Sequence, residues 1–258
     1  MKNILPVVIK PRLFALLALG FIIATIVGTV SHEAGHYLAA KYFGLEPKLT
    51  YGAVFPQSSN REDMAVLDSL YKADEKKIMA KEDSPEKTYF LKFRESLAPK
   101  IKLDAQQRFW FTFWGPVETM ITGSIGFLLL WLNRDKRLST ELPLRVWICV
   151  YLCFFWSRQV FNFLSWIGTY IFTGHISAGG DEVKLSRYLS SAGDNATVLQ
   201  LGWFGFVTAV IAAVILLWAT FTIVPKQQRF SFIIAGIVGS LSGFAIWFKW
   251  LGPVILPV

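Results

Sequence analysis

The sequence has little charge for its length. Of its 258 residues, 17% are Asp, Glu, Lys or Arg and 53% are hydrophobic, whereas a soluble domain carries about 25% charged residues. This composition excludes intrinsic disorder and argues against an ordinary soluble domain. The chain has only two cysteines, so it lacks the bridges that hold a small secreted module together. The composition is instead typical of a protein that crosses a membrane several times.

Long apolar runs set the expected number of crossings. A helix needs about 20 mostly apolar residues to cross the hydrocarbon of a bilayer. Five segments approach or exceed this length, at 13–30, 109–132, 144–172, 199–224 and 230–250. Helix-compatible sequence continues past the first of them to Gly44, where we expect that helix to end. The predicted fold is an all-α polytopic membrane protein with about five transmembrane helices.

One long polar stretch separates the first two spans. It contains 11 basic and 11 acidic residues, with a β-prone run at 48–55 and a helix-favouring run at 61–94. We therefore expect a small polar cap made of a short β element and helices. The chain divides into four parts: an N-terminal segment with the first helix (1–44), the cap (45–107), the second and third helices with the loop that follows (108–198), and two C-terminal helices (199–258).

The net charge of +8 comes from basic residues that flank the apolar spans, since the charges of the cap cancel. Such residues favour anionic headgroups, so the lipid bilayer is an expected partner and nucleic acid is not. The short segments on the side of the N-terminus carry nine Lys and Arg, against three on the opposite side. The positive-inside rule then places the N-terminus in the cytoplasm.

Histidine is scarce, yet two of the three histidines stand in the run His32-Glu33-Ala34-Gly35-His36. A chance match to His-Glu-x-x-His is expected in about one in a thousand chains of this composition. Positions four apart share a helix face, so both imidazoles can bind one zinc ion while Glu33 acts on a water. Ionisable residues at a membrane span are costly and indicate function. The run predicts a zinc site with Glu33 as a catalytic base.

Zinc with two histidine ligands needs a third ligand from the protein. The segment after the third span returns to the side of the membrane where His32 and His36 lie. It contains His175, Asp181 and Glu182. We favour Asp181, with His175 as the main alternative and Glu182 or an acid of the cap as others, because sequence spacing does not fix metal geometry.

Two further charges lie inside predicted spans, Glu118 in the second and Arg158 in the third. Each is expensive alone in lipid, and the two could pair if their helices are adjacent. We expect a structural ion pair between them, with a role in substrate handling as the alternative.

Three motifs together resemble one protein family. The run from His32 to Gly44, followed by the β-prone residues 49–55, is similar to the site-2 protease family of intramembrane zinc metalloproteases. Gly115-Pro116 resembles that family's Gly-Pro motif, and Gly180-Asp181 resembles its aspartate-bearing motif. The resemblance covers roughly residues 13–190 and is strongest at the first motif.

The resemblance implies a three-helix catalytic core, in which His32, His36 and Asp181 hold zinc and Glu33 is the general base. It also implies a site near the cytosolic face, opposite to the orientation that the positive-inside rule gives. The sequence departs from the family at Thr119, where the family usually carries Asn, and Asp181 is followed by Glu instead of Gly.

The expected function is hydrolysis of peptide bonds in membrane-protein or peptide substrates, as in regulated intramembrane proteolysis. We expect a multi-pass protein of a bacterial cell membrane, with room for an accessory membrane partner that delivers substrate. Two alternatives are a zinc-binding scaffold, which has no need of Glu33, and a small transporter. The transporter predicts inverted repeats, which we do not find in the sequence.

Overall fold

The computed structural model describes residues 6–56, 66, 69–74, 77–78, 84–101, 103–134, 142–174, 180–191 and 196–257. Within these ranges the chain is mainly helical, with one two-stranded sheet. Five helical segments are long and apolar enough to cross a membrane: Pro11–Tyr42, Ala105–Leu132, Leu144–Thr173, Val198–Ile223 and Lys226–Ile255. The predicted all-α membrane fold with five spans and a small β element is confirmed.

The first helix, α1 (Pro11–Tyr42), has sequence signals at both ends. Pro11 stands at its first position, where the fixed φ of proline suits a helix. Proline has no amide N–H, but an amide at this position would have no partner within the helix. Beyond its end, Gly44 has a φ of 75° and the Leu45 amide donates to the Ala40 carbonyl at 3.1 Å. This is the Schellman arrangement, which favours glycine at the left-handed position. The predicted end of the helix at Gly44 is confirmed.

The β element is a hairpin. Strands β1 (Lys48–Leu49) and β2 (Val54–Phe55) pair in antiparallel register, and the Thr50 amide donates to the Ala53 carbonyl within the turn. The Tyr51 carbonyl accepts a 2.7 Å hydrogen bond from the Trp247 indole, which attaches the hairpin to the C-terminal span. The β-prone run therefore folds back on itself.

The remaining helices follow the predicted spans, with one interruption. The third crossing is divided by a 3₁₀ turn at Phe154–Trp156, where we expected continuous helix. Both halves are helical, so the apolar pattern alone does not reveal the break. The elements after the hairpin are α2 (Pro85–Ile101), α3 (Ala105–Leu132), α4 (Leu144–Cys153), α5 (Ser157–Thr173), α6 (Asp181–Leu189), α7 (Val198–Trp218), α8 (Arg229–Ile246) and α9 (Gly252–Ile255), with π-helical turns at Ala219–Ile223 and Trp247–Leu251.

Helix α1 is packed between α3 and α8, and α6 lies against both α3 and α7. Close approach to α8 depends on Gly239, where a Cβ would lie 2.5 Å from the Ala18 carbonyl oxygen. The apolar core gathers around the first half of α1, from Leu17 and Phe21 to Val150 and Phe232. The second half of α1 carries the His-Glu-x-x-His run and faces α3 and α6.

Candidate metal centre

Three side chains from two distant parts of the chain meet at one point. His32 and His36 project from the same face of α1, and Asp181 is the first residue of α6. The Nε2 atoms of the histidines lie 3.3 Å apart, and each lies 3.2 Å from the same oxygen, Oδ2, of Asp181. Both histidines are buried. The described residues form one such group of possible metal ligands.

The spacing of these donor atoms fits a zinc ion. Zinc bonds of about 2.0–2.2 Å at tetrahedral angles place neighbouring ligand atoms about 3.3–3.5 Å apart. The three separations of 3.2, 3.2 and 3.3 Å come close to these values. Two imidazoles and one carboxylate are also a donor set that zinc accepts in catalytic sites, where a fourth position stays open. The residues present therefore fit the metal that the motif predicts.

The position of the proton on His36 also favours a cation between the three donor atoms. The Nδ1–H of His36 donates to the Phe111 carbonyl at 2.7 Å, so in the neutral ring Nε2 carries a lone pair. That lone pair faces Asp181 Oδ2 and His32 Nε2. Electron-rich atoms at this distance repel unless a proton or a metal ion lies among them. A hydrogen bond from the outer ring nitrogen is also the usual way in which proteins orient a ligating histidine.

The Gly-Pro motif, Gly115-Pro116, lies directly against His36. A Cβ at Gly115 would lie 2.2 Å from His36 Nε2, so only glycine leaves room for the ring. On the opposing helix a Cβ at Gly35 would lie 2.4 Å from the Trp114 carbonyl oxygen. Pro116 lacks an amide and interrupts the hydrogen-bond ladder of α3, one turn after the carbonyl that receives His36. The motif thus allows α3 to approach α1 at the candidate centre.

Glu33 lies on α1 beside the two histidines and is buried. It has no hydrogen-bond partner among the described residues, which leaves its carboxylate available for proton transfer. In the described part of the chain, this glutamate thus lies next to the donor triangle without a structural hydrogen bond, as a general base would.

Asp181 is oriented by its position and its neighbours. It follows the N-cap Gly180 at the start of α6, where the helix dipole favours a negative charge. Lys184 lies 3.6 Å from its other carboxylate oxygen. Burial alone would raise the pKa of Asp181, but its contacts with His32 and His36 outweigh burial and lower the pKa below its usual range. The ionised carboxylate is the form that could bind a metal.

Glu182, an alternative ligand in the sequence, is not among the three donors that meet. Its Oε1 accepts a 2.9 Å hydrogen bond from Asn162 of α5, and burial raises the pKa of its carboxyl group. His175, the other alternative, lies outside the described residues. The structure thus brings together His32, His36 and Asp181, while ligation by them stays a prediction.

The expected pairing of Glu118 with Arg158 is wrong for the described residues. The Glu118 carboxylate accepts hydrogen bonds from Ser31 at 2.8 Å and Thr122 at 2.9 Å. Two hydroxyl groups therefore satisfy this acid within the membrane. Arg158 instead interacts electrostatically with residues of the candidate centre, including Glu33.

The sequence reveals only part of what supports the centre. The Phe111 carbonyl could not be found from the sequence, because every residue type has a carbonyl group. Asn162, a polar residue inside a predicted span, could from the sequence be a hydrogen-bond donor between helices or line the site, and the structure makes it the donor to Glu182. Thr119 is buried, and its hydroxyl donates to the Pro116 carbonyl at 2.8 Å. This hydroxyl group is therefore used within α3.

Scans of the sequence against protein-family models, curated proteins and solved structures find no match. Function is therefore inferred from the geometry of the centre and from the motif.

Proposed function

We propose that this chain is an intramembrane zinc metalloendopeptidase of the site-2 protease type, a multi-pass protein of a bacterial cell membrane that cleaves membrane-protein or peptide substrates. One observation carries the proposal. Three donor atoms with the spacing of tetrahedral zinc ligands lie beside Glu33, a buried carboxylate without a hydrogen-bond partner among the described residues.

His32, His36 and Asp181 would hold the zinc ion. When bound, zinc acidifies water and polarises a carbonyl group, which makes peptide hydrolysis feasible at neutral pH. Glu33 accepts a proton from the attacking water as the water oxygen bonds to the carbonyl carbon. It then returns that proton to the amide nitrogen as the carbon–nitrogen bond breaks. The products are a carboxylic acid and an amine, and Glu33 ends in its starting state.

The hairpin is the proposed holder of the substrate. A peptide bond inside a helix is shielded, so the substrate must be extended at the cleavage site. Lys48 and Phe55, at the open end of the hairpin, are exposed, and a short strand with a free edge can bind an extended peptide by β-addition. The hairpin follows α1 after a short turn, which keeps it close to the helix that carries the motif.

Cleavage of a membrane peptide tests the proposal. Purified protein in detergent or vesicles is incubated with single-span peptides from a library, and products are identified by mass spectrometry. We expect cleavage by the wild-type chain and none by Glu33→Gln at unchanged zinc content, because amide cannot accept the proton. Glu118→Gln is the matched control, since it changes the other glutamate within the spans, and it should cleave normally.

Two results would argue against proteolysis. Equal product from wild type and Glu33→Gln would indicate a contaminating protease. Zinc-loaded wild type that cleaves nothing in a broad library would favour a zinc-binding scaffold.

A further inference from the structure

Arg158 is a cation inside the third span, and among the described residues no side chain forms a hydrogen bond or an ion pair with it. It lies in the first turn of α5, immediately after the 3₁₀ turn that divides the span. Its Nε atom is buried and makes no hydrogen bond, and no ion pair of Arg158 occurs within the described ranges. An unpaired charge at membrane depth is costly and indicates a functional role.

The face of α5 that carries Arg158 points toward the candidate centre. Asn162, one turn later on the same face, donates to Glu182, the neighbour of Asp181. Arg158 also interacts electrostatically with His32, Glu33 and Glu182. Together with the hydrogen bond from Asn162, these interactions place Arg158 on the face of α5 that is turned to the junction of α1 and α6.

We propose that Arg158 is a catalytic residue that donates hydrogen bonds to the carbonyl oxygen of the scissile peptide and stabilises the negative charge that develops there. This inference rests on the proposed proteolytic function. The centre otherwise offers few donors for that oxygen. Thr119 uses its hydroxyl group within α3, and Lys184 lies against Asp181.

The charge balance of the step explains why a cation is needed. When the water oxygen bonds to the carbonyl carbon, the π electron pair moves onto the carbonyl oxygen, which becomes an anion. Arg158 gives hydrogen bonds to that oxygen but no proton, because a guanidinium stays protonated in proteins. When the carbon–nitrogen bond breaks, the pair returns to form the new carbonyl bond. Donors directed at such an oxyanion act mainly on the transition state.

The test compares Arg158→Gln and Arg158→Lys with Arg145→Gln, which removes an exposed cation at the start of the same span. For Arg158→Gln we expect kcat to fall by about 10²–10³-fold, the cost of losing an oxyanion donor, with KM and zinc content unchanged. Arg158→Lys keeps the charge and should recover part of the rate. Arg145→Gln should match wild type in all three measurements.

Two zinc-binding inhibitors give a second readout that does not depend on turnover. A phosphinic peptide presents a tetrahedral anionic group, and a hydroxamate of the same sequence is planar. Arg158→Gln should weaken binding of the phosphinic peptide in parallel with kcat and leave binding of the hydroxamate unchanged.

Equal weakening of both inhibitors, or loss of zinc and of thermal stability, would show that Arg158 is a structural counter-ion and would overturn the inference. Unchanged kcat in Arg158→Gln would also overturn it and leave the protease proposal intact. Failure of the protease proposal looks different, because wild type itself would then cleave no peptide, so that kcat could not be compared between variants.

Discussion

Replacing Gly115 with alanine should displace His36 and disrupt the candidate metal centre. The added Cβ would lie 2.2 Å from His36 Nε2, whereas ordinary contact begins at 3.4 Å. The difference requires a separation of about 1.2 Å between the ring and α3. Metal-ligand distances tolerate only about 0.2 Å, so the ring cannot retreat and still complete the site. We expect zinc affinity to fall by at least 10–100-fold, the usual cost of disturbing a ligand's support.

The assay is chelator competition for zinc on purified protein in detergent, with thermal unfolding measured in parallel. Overpacking of this kind also costs about 1–3 kcal/mol of stability. Gly168→Ala is the matched control, because Gly168 lies in α5 with nothing within 4 Å of the added Cβ. It should keep both zinc affinity and stability. Zinc affinity within twofold of wild type in Gly115→Ala would refute the packing argument.

Three further predictions concern the supports of the centre and the cap. Asn162→Ala leaves Glu182 buried without its hydrogen-bond donor and should lower stability by about 1–3 kcal/mol, and unchanged thermal unfolding would contradict this. Lys77 donates a hydrogen bond to Glu86 and lowers the pKa of that carboxyl group. The pair therefore stabilises the fold at pH values above the ordinary Glu pKa. This stabilisation is lost as the pH falls through the lowered pKa of Glu86. Lys77→Met should raise the pKa of Glu86 in a carbon-13 NMR titration, and a constant value would show that the pair does not form. Phe55→Pro should slow cleavage at constant zinc content if substrate adds to the hairpin, whereas normal cleavage would exclude that edge.

Much of the fold follows from local sequence signals. Apolar length predicts five crossings, and the end of α1 is set by Gly44, because few other residues adopt a φ of 75° without strain. The turn that divides the third span at Phe154–Trp156 was not predicted. Aromatic residues fit both helix forms, and packing of the surrounding helices decides between them. The hairpin was likewise predicted only as a β-prone run, since pairing depends on contacts such as that from Trp247 to the Tyr51 carbonyl.

The candidate site, like the fold, was predicted from the sequence only in part. The spacing of His32 and His36 predicts a shared helix face, and crossing parity correctly brings Asp181 to the same side. The error at Glu118 and Arg158 has a physical cause. Two lone charges were paired because lipid penalises each of them, but hydroxyl groups one turn away or on a neighbouring helix can satisfy a carboxylate equally well. Side-chain direction, which the sequence does not give, decided the partners.

The zinc content of purified protein tests the central claim most directly. Wild type is measured in detergent beside His36→Ala, Asp181→Ala and Glu33→Gln, with folding checked by thermal unfolding. We expect about one zinc ion per chain in wild type and in Glu33→Gln, and loss of zinc in the two ligand variants. A folded wild-type protein without zinc, or zinc that persists in His36→Ala and Asp181→Ala, would contradict a metal centre built by these residues.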